Sequence, residues 1–289
     1  MQRQGAKTPT VLRYAAFAAT PGGGNPAGIV LDATELADAD MQRIAADIGY
    51  AETAFVTERN LAGNPRHLRI RYFSPVAEVP FCGHATIATA VVLAEREGTG
   101  AFEFETPAGP VLMETSTGNT GITASFTSVK PEVAPLDDGA EHELLKLLGL
   151  AHGDLDIRYP LLSAFAGNWH PVVVLRDKAV FDGFTFDPRA MRTLMDAQGW
   201  RGTVTVLYAN SPTSFEARNL FPVGTLTEDP ATGSAAASLG GYLRAIESVT
   251  APCEVEVRQG SHIGRPSLLK VEIPPTGGIV VSGTATKIS

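Results

Sequence analysis

Only two cysteines, Cys82 and Cys253, occur in 289 residues, too few to staple a chain of this size with disulfides. Basic side chains are also scarce: 23 Lys and Arg stand against 31 Asp and Glu, a formal net charge of −8. Nucleic acid and anionic membranes demand basic patches, so no nucleic-acid and no membrane partner is expected. A small anionic substrate stays compatible, because backbone N–H groups bind an anion locally against an unfavourable overall charge. No apolar run approaches the roughly 18 residues that span a bilayer. Arg13 interrupts the stretch Val11–Phe17, which is too short for a secretory segment, and a cytoplasmic protein is the expectation.

Nucleotide and cofactor signatures are missing too. Gly22-Gly23-Gly24-Asn25-Pro26 has no following Gly-Lys-Ser/Thr, so it is no phosphate-binding loop of that type. No Gly-x-Gly-x-x-Gly opens a helix after a strand. None of the lysines sits in a motif suited to a Schiff base with pyridoxal phosphate. Cys82-x-His84 falls short of a ligand set. The expectation is chemistry with no cofactor and no metal.

What the chain does have is enough apolar material, 44% of residues with 19% charged, for two packed domains. Alternation predicts strands over 11–18, 28–31, 53–56, 67–73, 171–175, 203–208, 215–220, 253–259 and 267–272. Helical spacing predicts helices over 38–48, 85–97, 141–148, 188–198 and 234–246. Pro131-Glu132-Val133-Ala134-Pro135 reads as the link between halves, and the tail from Gly278 as a strand returning to the first domain.

The halves repeat. Gly24-Asn25 and Gly167-Asn168 each lead into an apolar run, 143 positions apart. Phe81-Cys82-Gly83-His84-Ala85-Thr86 and Glu228-Asp229-Pro230-Ala231-Thr232-Gly233-Ser234 each open an Ala-rich helix, Cys82 and Asp229 lying 147 positions apart. The first N–H groups of a helix lack internal partners and carry roughly half a positive charge. Gly83 and Gly233 let a ligand approach them closely. Two such mouths suit a carboxylate and an adjacent enolate-like charge. The plainer reading is that Ser, Thr and Asp there are helix caps. Glu52, flanked by apolar residues at a helix-to-strand junction, is either a loop carboxylate or one with the raised pKa of a general acid–base group. Cys82 is either an activated thiol or a small buried residue. Glu78, between Pro75 and Pro80, reads as a positioning residue paired within its loop.

Gly24-Asn25-Pro26-Ala27-Gly28, Glu52-Thr53-Ala54-Phe55-Val56, Phe81-Cys82-Gly83-His84-Ala85-Thr86 and Glu228-Asp229-Pro230-Ala231-Thr232-Gly233-Ser234-Ala235, in that order along the chain, resemble the phenazine-biosynthesis PhzF-like proteins. The resemblance implies an α+β diaminopimelate epimerase-like fold: two pseudo-symmetric domains, each a mixed barrel-like sheet around a central helix, with the active cleft between them. Residues 1–128, joined by the tail 278–289, would form the first domain and 129–277 the second. It further implies a homodimer and a cofactor-independent isomerase moving a proton in trans-2,3-dihydro-3-hydroxyanthranilate or a related acid. Glu52 corresponds to the family's acid–base group, with His84 and Asp229 as catalytic partners. Asn25, Gly83, Gly233 and Ser234 would bind substrate.

Related epimerases in that fold oppose two cysteines. Cys82 falls where the first would be, and no thiol lies in the second motif. The alternatives to an isomerase are therefore an amino-acid epimerase or racemase using Cys82 with Glu52 or Asp229, and a small-molecule binding protein that has lost turnover. Tyr14, Trp169 and Tyr208 stand as candidates for specificity.

Overall fold

Two Ala-rich helices organise the fold, and both are buried on every side. In the computed structural model residues 9–119, 121–223 and 226–288 are described; the polar lead-in Met1–Lys7 and the final tail residue Ser289 lie outside the described residues. The helices are α1 (Asp38–Ile48), α2 (Gly83–Glu97), α3 (Asp138–Leu147), α4 (Lys178–Gly183), α5 (Pro188–Gln198) and α6 (Gly233–Ala245). The described residues pack as two units, one within Met1–Ala16, Pro26–Phe126 and Thr284–Ser289, the other within Phe17–Asn25 and Thr127–Gly283. Against the expected division, Phe17–Asn25 and residues 278–283 pack with the second unit.

In the first unit every residue of α2 from His84 to Ala94 is buried, as expected of a helix that is apolar all round. Its two threonines are satisfied internally: Thr86 and Thr89 hydroxyls donate to the carbonyls of Cys82 and Ala85, each at 2.7 Å. The sheet around it runs parallel between Asn25–Val30 and Glu52–Arg59, antiparallel to His67–Phe73, parallel again to Gly100–Thr106, then antiparallel through Gly109–Gly118 and Gly121–Thr127. The two parallel steps are the crossovers that α1 and α2 make, since parallel neighbours need a long connection. Leu12–Ala16 pairs with the end of the tail strand, Tyr14 opposite Lys287.

The second unit repeats this plan step for step. Trp169–Leu175 lies parallel to Val204–Ser211, which is antiparallel to Ser214–Val223, itself parallel to Cys253–Gln259, then antiparallel to Ser267–Ile273 and Val280–Lys287. α6 makes the second crossover. The differences lie at the first crossover, where α4 and α5 together with α3 cover a core of Leu144, Phe181, Met191 and Val206, whereas α1 alone covers Val30, Met41 and Phe55. The segment expected to link the halves is a strand instead. Glu132–Pro135 pairs antiparallel with Leu162–Phe165.

Close packing of α6 rests on its paired glycines. A Cβ at Gly241 would sit 2.4 Å from Pro131 Cβ, and one at Gly240 2.7 Å from Ile279 Cγ2. Gly241→Ala is therefore expected to lower unfolding free energy by about 1–3 kcal/mol through overpacking, measured by urea denaturation. A midpoint equal to wild type would show that this glycine does not set the helix-to-strand spacing.

Candidate active site

Helices α3, α4 and α5 are each capped by an aspartate, Asp137, Asp177 and Asp187, whose side chains accept from the first helical N–H groups. The central helices are not. Cys82 and Thr232 occupy the N-cap positions of α2 and α6, and neither makes a side-chain cap. The capping explanation of these two motifs therefore fails. Aligning the helix starts also corrects the internal repeat: Gly83 matches Gly233, so Thr232, and not Asp229, is the counterpart of Cys82.

At the mouth of α2 three predicted residues come together. Glu52 opens its strand opposite Ala27. Cys82 Sγ lies 3.4 Å from Glu52 Oε2 and 3.3 Å from His84 Nδ1, and His84 Nε2 lies 3.5 Å from Glu52 Oε2. Burial drives the His84 pKa down to about 4, against a backbone hydrogen bond with Pro26 that raises it. The imidazole is neutral at neutral pH, so its contact with Glu52 is no ion pair. Glu52, with 16% of its side chain accessible, stays reachable from solvent. Cys82 is buried and sits in contact with both. The three ligand atoms lie within 4.8 Å of one another, as do those of His67, Glu103 and Glu105, so either set can hold an ion.

At the mouth of α6 the chain is held differently. Asp229 is buried, and its carboxylate accepts from Asn25 Nδ2 at 2.8 Å and from the Thr232 hydroxyl at 2.6 Å. Asn25 Nδ2 also donates to the Ala231 carbonyl at 3.0 Å. Gln259 Nε2 donates to the Asp229 carbonyl and its Oε1 accepts from Thr232 N–H, at 2.6 and 3.1 Å. Asn25 and Gln259 thus brace the Asp229–Thr232 loop. Desolvation pushes the Asp229 pKa up to about 6, with the Thr232 and Asn25 hydrogen bonds opposing it. One residue earlier, Glu228 pairs with Arg218, which also donates to the Phe181 and Phe184 carbonyls at 3.2 and 3.0 Å. Ser234 is half-buried, and its Oγ lies 3.1 Å from His170 Nε2.

His170, Thr232 and Gln259 were not singled out by sequence. His170 sits in the second Gly-Asn segment, so the repeat carried a signal for it. Gln259 closes a strand and carried none. Glu78, read from sequence as a positioning residue paired within its loop, is instead paired with Arg71 of the neighbouring strand, at 2.7 Å. The Tyr14 hydroxyl donates to Glu95 at 2.7 Å, and Tyr208 packs on the outer core of the second unit. Trp169 stacks near Phe165.

A family model for phenazine biosynthesis-like proteins, PhzC-PhzF, matches residues 14–289. The chain belongs to this family and is an isomerase acting on a small molecule, with the α+β epimerase-like fold expected of it. Among its relatives, an uncharacterized isomerase of Deinococcus radiodurans is 34% identical, covering 93% of this chain and 89% of that one. The trans-2,3-dihydro-3-hydroxyanthranilate isomerase of Pseudomonas chlororaphis is 32% identical, covering 88% and 86%. The crystal structure of a Bacillus anthracis phenazine biosynthesis protein of the PhzF family matches with a TM-score of 0.83 at 28% identity, covering 98% of both chains. Among the described residues no helix is long and apolar enough to cross a membrane.

The raised Asp229 pKa has a consequence for stability. Between roughly pH 4 and 6 the folded state holds a proton that the unfolded chain has released. The group's contribution is therefore fully present at low pH and lost as pH rises through about 6. Asp229→Asn, which cannot charge, should gain on wild type by up to about 3 kcal/mol between pH 4 and 7. Denaturant titrations at the two pH values measure this, and a difference independent of pH would contradict it.

Proposed function

We propose that this chain is a cofactor-independent isomerase that moves a carbon-bound proton within a small carboxylic acid, with Glu52 as general acid and base. The observation that carries the reading is the contact of Glu52 with a buried, neutral His84 at the uncapped mouth of α2. A neutral imidazole can orient the carboxylate by a hydrogen bond, whereas an imidazolium would hold it as an ion pair. Glu52 takes the proton from a carbon conjugated with the substrate's own unsaturation. The electron pair delocalises into that system, and the protonated Glu52 returns the proton at a different carbon. No external electron sink is required. His84 and Cys82 orient the Glu52 carboxyl, and Asp229, poised near neutrality, serves as a second acid–base group. Gly83 and Gly233 N–H groups and the Ser234 hydroxyl bind carboxylate oxygens, and Asn25 acts by holding Asp229.

The similarity to the P. chlororaphis enzyme makes trans-2,3-dihydro-3-hydroxyanthranilate the first substrate to try. The same reading has the enzyme act as a cytoplasmic homodimer. Glu52→Gln should lower kcat by about 10²–10⁴-fold, the range for loss of a general acid–base group, with KM changed only a few-fold. Steady-state kinetics on that acid measure it, and full turnover by the variant would remove Glu52 from the role.

A second reading is favoured by one contact, the Cys82 thiol against both Glu52 and His84. A racemase or epimerase could use that thiol as one of two opposed groups. Its counterpart at the mouth of α6 is Thr232, however, and Cys253 lies in the strand Cys253–Gln259. The two readings divide on Cys82→Ala. The isomerase retains kcat within about tenfold, the size of losing one hydrogen bond to a charged group. A thiol base would lose about 10²-fold or more.

A further inference from the structure

His170 is fully buried, yet one face of its ring reaches the Ser234 hydroxyl at the mouth of α6. The other nitrogen meets Thr203 three ways. The Thr203 backbone N–H donates to Nδ1 at 3.0 Å, while the Thr203 hydroxyl and carbonyl oxygens lie 3.0 and 3.1 Å from the same atom. Nδ1 cannot both accept and donate, so these contacts compete. The Thr203 hydroxyl has its proton placed already, donating to Asn219 Oδ1 at 2.7 Å. A buried backbone N–H left without an acceptor is the costlier orphan, since an under-satisfied carbonyl is tolerated more often. Nδ1 is then the acceptor, and the proton of the neutral ring sits on Nε2. The ring has little freedom to turn away. A Cβ at Gly202 would lie 2.5 Å from His170 Cε1, so the backbone itself forms one wall of its slot.

We propose that His170 is a positioning residue whose Nε2–H donates to Ser234 Oγ, which turns the Ser234 hydroxyl hydrogen toward a carboxylate oxygen of the substrate. This rests on the isomerase reading above for the identity of the anion. A serine hydroxyl that accepts from histidine cannot donate back to it, so its one hydrogen is left for another acceptor. Burial pushes the His170 pKa down to about 4, against the Thr203 backbone contact that raises it, so the ring is a neutral donor near pH 7. The first copy of the module does something else at the same place. Ala27 stands where His170 stands in the second, and the second residue of its central helix, His84, meets the Glu52 carboxylate. One mouth is built around a proton acceptor and the other around an oriented hydroxyl donor.

The first test is independent of turnover. NMR of ligand-free wild-type protein carrying 15N-histidine should show His170 as the Nε2–H tautomer, and an Nδ1–H signature would overturn the proposal. The second uses turnover of trans-2,3-dihydro-3-hydroxyanthranilate. His170→Asn keeps a group beside Thr203 without the reach to Ser234, and it should raise KM roughly tenfold, as Ser234→Ala does, the size of one hydrogen bond to a charged acceptor. The double variant should be no worse than either single one, and His170→Gln, which restores a donor near Ser234, should recover most of the loss. Additive losses, or a collapse of kcat with KM unchanged, would overturn the role. If wild type does not turn over this acid, the substrate reading fails separately. The same variants are then compared by calorimetric binding of anthranilate, with the tautomer result standing on its own.

Discussion

A helix buried on all sides can be built only from residues that let strands close around it, and this constraint governs both units. Ala85, Ala88, Ala90 and Ala94 line α2, while Ala235, Ala236, Ala237 and the Gly240–Gly241 pair do the same for α6. Burial of the helix body sends its N-terminal turn to the sheet edge where loop and strand ends gather. There α3, α4 and α5 use aspartate caps, whereas α1, α2 and α6 make no side-chain cap. At α2 and α6 the partial positive charge of the first turn is open to whatever binds at the mouth.

Around these mouths the two copies have specialised. The first gathers a carboxylate, a thiol and a neutral imidazole within hydrogen-bond reach of one another. The second keeps its aspartate buried and braced by Asn25, Thr232 and Gln259, with a strand clamped nearby through Arg218 and Glu228. Desolvation acts on both copies by favouring the neutral form: it lowers the pKa of His84 and His170 and raises that of Asp229.

Much of this was legible in the sequence. Helices α1 and α5 run to the expected residues, because their apolar spacing ends at Gly49 and Gly199, each in the left-handed conformation that glycine favours. Cys82 and His84 were visible as candidates because motif residues cluster at a helix start, and Glu52 because it sits among apolar residues at a helix-to-strand junction. The register of the repeat was less visible. Matching polar character paired Cys82 with Asp229, whereas helix geometry pairs Cys82 with Thr232: each helix follows a short loop of equal length, and the strand before it ends at Val79 in the first copy and at Asp229 in the second. The strand Glu132–Pro135 was hidden by its flanking prolines. His170 and Gln259 act through contacts with residues 64 and about 30 positions away, and such pairings leave no local pattern to read.

The central claim is that Glu52 carries a carbon-bound proton. Incubation in D2O with dihydrohydroxyanthranilate, related cyclic acids and amino acids tests it most directly, with label followed by NMR and mass in parallel for wild type and Glu52→Gln. Wild type is predicted to place solvent deuterium on a substrate carbon, at a position other than the one that lost its proton, and the variant to place none. Label entering equally with both proteins, or no label with any acid of the panel, would contradict the account.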